Sequence, residues 1–83
     1  MKVLKADGFD AAIIGIDSLS ERIVYDKWAM VEILMADDEM SEEDAVEFLE
    51  FNTWNAYVGD HTPIYVDVMK LDEICNLQNK NDI

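Results

Sequence analysis

No lysine or arginine occurs from Trp28 to Met69, a stretch that holds eleven acids. Unpaired charges are too costly to bury, so every one of those carboxylates must face water or a partner. The apolar residues between them must then make the core. Net charge over the 83 residues is −13, yet the apolar fraction is 51%. Chains as charged as this but poor in apolar residues stay disordered. The expectation is one small folded domain, residues 1–83, with an acidic skin.

The apolar spacing divides the chain into six elements. The run "AAIIGI" (11–16) is followed by "DSLSE" and then "RIVYD" (22–26). Ile13, Ile14, Ile16, Ile23, Val24 and Tyr25 favour strands, which reads as an antiparallel hairpin. A helix over 10–18 is the alternative, because so short a run does not settle the period. Asp26 is placed to cap a helix over 27–37, with Trp28, Val31, Leu34 and Met35 on its apolar side. Ser41 opens a second helix, with Asp44 three residues on and Glu42 and Glu43 in its first turn. Ala45, Phe48, Leu49 and Asn52 form the inward face of this helix. It continues through Trp54, Ala56 and Tyr57 towards a stop at Gly59. Pro63 leads an alternating strand, "PIYVDV". A short last helix starts at Asp72 and Glu73, and residues 78–83 form a fraying tail. The fold class is α+β, a single layer of three antiparallel strands against two or three helices, in the order β-β-α-α-β-α.

Several short strings carry a resemblance. Gly8-Phe9-Asp10 with "AAIIG", "VYD" (24–26), "MSEEDAVEF" (40–48), Glu50-Phe51-Asn52, Tyr57-Val58-Gly59 and Thr62-Pro63 together resemble a group of small bacteriophage proteins of unassigned function. The likeness spans residues 8–66. It implies a phage origin and a place in the cytoplasm of an infected bacterial host, and it carries no activity with it. Thr53-Trp54-Asn55 departs from the small or apolar residues of that pattern.

The charge excludes some partners and favours others. A field of this sign repels nucleic acid and anionic membrane, which leaves basic surfaces of other proteins. Asp37, Asp38 and Glu39 fall in the turn between the two helices. Glu43, Glu47 and Glu50 recur at i, i+4 and i+7, one stripe on the second helix. A solvated helix face is the ordinary reading of such a run. Like charges at this spacing, however, destabilise a helix by roughly 0.2–0.5 kcal/mol per pair, and no lysine interleaves them. The set Asp37, Asp38, Glu39, Glu42, Glu43, Glu47 and Glu50 is therefore the candidate partner-binding face. It would act either by imitating a phosphate row or by steering a docking event anchored elsewhere. Inhibition or redirection of a host protein is the expected outcome of binding.

Other chemistries are weaker. "DDEMSEEDAVEF" lacks the glycine and the closing glutamate of a calcium loop. His61 stands beside Asp60, but adjacent residues seldom work as a dyad, and an exposed loop histidine is the plainer reading. Cys75, the single cysteine, reads as a buried thiol on the apolar side of the last helix. Asn52 reads as an amide holding a loop backbone, either 59–62 or 8–10. No enzymatic motif, cofactor or metal site is expected. The rival is a small-ligand or enzymatic pocket near Asp10, Asn52, His61 and Thr62, and a third alternative is a structural or assembly component. The methionines, Trp28 and Trp54 read as core, with a homodimer that buries some of them as the alternative.

Repulsion among the carboxylates sets one expectation for the whole chain. Raising salt from about 0.01 to 0.5 M shortens the screening length several-fold. The melting temperature should rise over that range, and a flat or falling response would contradict an unneutralised acidic skin.

Overall fold

The computed structural model describes the backbone of residues 3–81 and the side chains of residues 3–76. The element order is β1 (Ile13–Asp17), β2 (Arg22–Asp26), α1 (Lys27–Asp37), α2 (Glu42–Leu49), β3 (Ile64–Val66) and α3 (Leu71–Asn81). A 3-10 turn, Asp10–Ala12, precedes β1, and a π-helix, Glu50–Trp54, continues α2. The α+β class and the expected element order both hold.

The hairpin forms, with β1 two residues later than expected at its start. β1 and β2 are antiparallel, with a bulge between Ile13 and Gly15. Asp17 organises the turn. Its Oδ1 accepts from Leu19 N at 3.2 Å and its Oδ2 from the Ser20 hydroxyl at 2.8 Å. The Ser20 hydroxyl, followed by the Leu19 N–H, holds the Asp17 carboxyl below the usual carboxylate range.

β2 is the central strand, and β3 pairs with it in parallel, not antiparallel as expected. The reason lies in the connection. A parallel neighbour needs a crossover of a dozen or more residues. Here residues 27–63, with α1, α2 and the π-helix, supply it and carry the chain back to the end of the sheet where β2 begins. Register pairs Val24 with Ile64 and Tyr25 with Tyr65.

The core is apolar throughout. Phe9, Ala12, Ile23, Tyr25, Met30, Val31, Leu34, Ala45 and Leu49 are buried, and no polar or charged residue among the described ones joins them. Tyr25 and Met30 are wholly inaccessible. The Tyr25 hydroxyl accepts from Ala6 N at 2.7 Å and so fastens the N-terminal segment to the sheet. Its ring packs against Tyr65 at 5.5 Å. Gly8 turns that segment with φ +88°, a conformation that glycine adopts readily, and delivers Phe9 into the core.

Both helix caps are as expected. Asp26 Oδ1 accepts from Trp28 N at 3.0 Å and Ala29 N at 3.4 Å. Ser41 Oγ accepts from Asp44 N at 3.1 Å. The inward faces differ from expectation. On α1, Met30, Val31 and Leu34 are buried, while Trp28 and Met35 are exposed. This helix is apolar on several sides, so spacing alone does not choose which side turns in. On α2, Ala45 and Leu49 point inward, while Phe48 and Asn52 are exposed. The helical run ends at Trp54, and Gly59 instead turns the following loop at φ +112°.

On α3, residues 71–76 are all exposed, and Cys75 is exposed, not buried on an apolar side. The radius of gyration, 14.3 Å, exceeds the roughly 12 Å of a compact chain this long. α3 reaches Asn81, so it is longer than expected, and the last two residues of the expected tail lie outside the described residues.

The Tyr25 hydroxyl gives the test. Tyr25→Phe keeps the ring and removes the acceptor for Ala6 N, which should cost about 1 kcal/mol in denaturant unfolding. An unchanged unfolding midpoint would show that the N-terminal segment is not held by this bond.

Candidate functional site

The acids of 37–50 sit on the outer side of the α1–α2 hairpin. The buried seam beneath them is Met30, Val31 and Leu34 of α1 with Ala45 and Leu49 of α2. With Ala45 and Leu49 turned in, at about 100° per residue, Glu43, Glu47 and Glu50 fall outside. Asp37, Asp38, Glu39, Glu42, Glu43, Glu47 and Glu50 are all exposed.

The structure sorts these seven into groups. Glu42, Glu43, Glu47 and Glu50 line one open depression of about 670 Å³ together with Ser41, Val46 and Phe51. Asp37 and Asp38 line a different depression with Asp7, Ile33 and Phe48. A third lies between them, lined by Met40, Asp44, Glu47, Phe48, Phe51 and Asn52. The first and third share Glu47 and Phe51, and the third and the Asp37 depression share Phe48. Glu39 lines none of the three.

Glu39 has a backbone role instead. It follows α1 with φ +55°, in the left-handed region that glycine usually fills after a helix. A side chain there costs roughly 1–2 kcal/mol. The turn then sends Met40 N back to Leu34 O at 3.4 Å.

None of the described bases neutralises this face. Lys5 pairs with Asp10 at 3.1 Å, the single ion pair among the described residues. Arg22 Nε donates to Thr62 O. Lys27 lies over the Trp54 ring, 4.3 Å from its centroid. That cation–π contact occupies Lys27, the one base within the α1–α2 hairpin.

Sequence spacing missed the apolar part of the site. Phe51 is 83% exposed and Phe48 is 40% exposed, both among the carboxylates. The signal was present for Phe51, which lies roughly 200° from Leu49 on a helical wheel. The π-helix was not legible. Its i→i+5 turns take one residue more than α turns and shift the phase of the residues after them. Trp54 is thereby half-buried against α1, its indole N–H donating to Met30 Sδ at 3.5 Å. Asn52 is exposed and donates to Phe48 O at 2.9 Å, and Asn55 donates to Glu50 O at 3.1 Å. Both amides serve their own helical turn, not the loops at 8–10 or 59–62.

Of the rival pocket's four residues, Asn52 alone lines the cavity beside Tyr65. Asp10 is engaged by Lys5. Thr62 closes its own loop, accepting from Val58 N at 2.9 Å and donating to Gly59 O at 2.6 Å. His61 is half-buried, not exposed, and its Nδ1 is buried without a hydrogen-bond partner. The nearest cavity, about 400 Å³, is lined by Leu4, Phe9, Asn52, Val58, Pro63 and Tyr65 among others, and by neither Asp10, His61 nor Thr62. Burial, and then the neighbouring Tyr25, pushes the Tyr65 phenol up from its ordinary value. Among the described residues, no three His, Cys, Asp or Glu side chains are grouped to hold a metal ion. Among the same residues, no helix is long and apolar enough to cross a membrane.

Comparison of the chain with protein-family models, curated proteins and solved structures finds no match.

Glu39 supplies the test of the site's backbone. Glu39→Gly relieves the left-handed side chain and removes one like charge, and glycine's added freedom in the unfolded chain offsets part of the gain. Unfolding should become harder by about 0.5–1 kcal/mol. A destabilised variant would mean that the Glu39 side chain itself holds the turn.

Proposed function

We propose that this protein acts by binding a host protein with a basic surface, through the carboxylates of residues 37–50, and so inhibits or redirects that protein. The observation that carries the reading is the lack of compensation. Eight acids of residues 37–50 are exposed, and no described lysine or arginine pairs with any of them. Self-repulsion on this scale costs stability, and a cationic partner would relieve it. Binding is the whole of the proposed activity; no catalytic step is invoked. The setting, a bacterial cell infected by phage, rests on the sequence strings at 8–66 alone.

Two forms of binding compete. Imitation of a phosphate row draws support from Glu43, Glu47 and Glu50 lining one depression. Docking on apolar anchors, with charge steering the approach, draws support from Phe51 in that same depression. A phosphate row has no counterpart to an exposed phenyl ring, so the anchored form fits the surface better.

Capture from bacterial lysate tests the proposal. The wild-type chain should retain a basic protein that a Glu43→Lys, Glu47→Lys, Glu50→Lys variant does not. Equal capture by both would contradict the carboxylate face as the binding surface. Mimicry predicts that a nucleic-acid-binding protein is released steeply as salt rises, and anchored docking predicts retention with slower association.

A further inference from the structure

We propose that the segment this face receives is a basic amphipathic helix, seated with its apolar stripe on Phe48 and Phe51 and its lysines and arginines against the surrounding carboxylates. The inference rests on the proposed basic partner and specifies that partner's chemistry.

The floor of this surface is apolar. Phe51 and Phe48 are exposed and Met40 is half-buried, and the three line adjoining depressions that share walls. Phe51 is 83% exposed, so core packing does not account for an apolar side chain there, and Phe48 keeps 40% of its surface exposed. Carboxylates flank this floor at both ends. Glu43, Glu47 and Glu50 lie beside Phe51, and Asp7, Asp37 and Asp38 lie beside Phe48. No base lines any of the three depressions.

Charge decides among the occupants. A second copy of this chain brings −13 to an anionic rim. The chain's own α3 has exposed apolar residues, Leu71 and Ile74, but its Asp72 and Glu73 outnumber Lys80. The second copy is repelled, and α3 carries no net positive charge to attract it. A basic segment is attracted, and its aliphatic stems cover apolar surface while their charged ends reach the rim.

Backbone geometry decides between helix and strand. Most of the floor is carried by α2 and the π-helix, whose backbone groups are bonded within their own turns. They offer an incoming strand no row of free donors and acceptors. What remains is a helix laid across side chains, with apolar residues at i, i+3 or i+4 and i+7.

The test uses the full chain and three synthetic peptides of about 18 residues, roughly 27 Å long as helices. One is a leucine–lysine peptide with leucines at helical spacing. The second has the same composition in scrambled order, and the third is oligolysine. Affinities are read by fluorescence anisotropy at low salt, and helicity by circular dichroism. The patterned peptide should bind at least about tenfold more tightly than the scramble, and Phe51→Ser should remove that advantage while leaving oligolysine binding unchanged. Phe51 is 83% exposed, so the variant keeps its fold, and its own helicity checks this. Equal binding of patterned and scrambled peptides, or an unaffected Phe51→Ser, overturns the helix inference. Oligolysine binding that a Glu43→Gln, Glu47→Gln, Glu50→Gln variant abolishes then leaves the basic-partner reading standing. Failure of every cationic peptide to bind at low salt overturns both.

Discussion

The seam between α1 and α2 holds everything that lies outside it. Met30, Val31 and Leu34 meet Ala45 and Leu49 there, and all five are buried. Repulsion among the acids on the outer side of the hairpin pushes the two helices apart, and apolar burial opposes it. Fully burying a large aliphatic side chain contributes roughly 1.5–3 kcal/mol, more than the few tenths of a like-charge helix pair. The carboxylates are thus held in a set arrangement by contacts in which they take no part.

That arrangement is fixed to the rest of the protein through β2. Tyr25 carries two of the connections: its ring packs against Tyr65 of β3, and its hydroxyl holds Ala6. α1 follows β2 without a break, capped by Asp26 at the strand's last residue. The hairpin of helices is then a long detour between two parallel neighbours, β2 and β3. Residues 38–41 turn the chain from α1 into α2.

Much of this was legible from residue types and spacing, and the failures have physical causes. The strand pair announced itself through branched residues on either side of a polar turn. Asp26 and Ser41 announced both helix starts, because a capping oxygen is needed at one position and few side chains supply it. The carboxylate positions were legible because charge has one allowed side. Strand direction was not, since an alternating run such as residues 63–68 suits either a parallel or an antiparallel neighbour. The inward faces of α1 and α2 were misjudged where apolar residues exceed what the core holds: Trp28, Phe48 and Met35 are apolar and outside. Spacing ranks positions by face, and it does not say which apolar residues a small core leaves out. The π-helix is invisible to a reading that assumes one period throughout. The seven acids expected to act together are divided by the fold into the Glu42–Glu50 group, the Asp37–Asp38 pair and a strained Glu39.

We propose recognition at the carboxylate and phenylalanine surface of α2, the π-helix and the α1–α2 turn, and not at the cleft beside Tyr65. Backbone amide chemical-shift mapping with a captured basic partner separates the two surfaces. The predicted result is a contiguous set of perturbations over residues 37–51, with the amides of 58–65 unmoved. Perturbations confined to 58–65 and the N-terminal segment, with 37–51 silent, would contradict it.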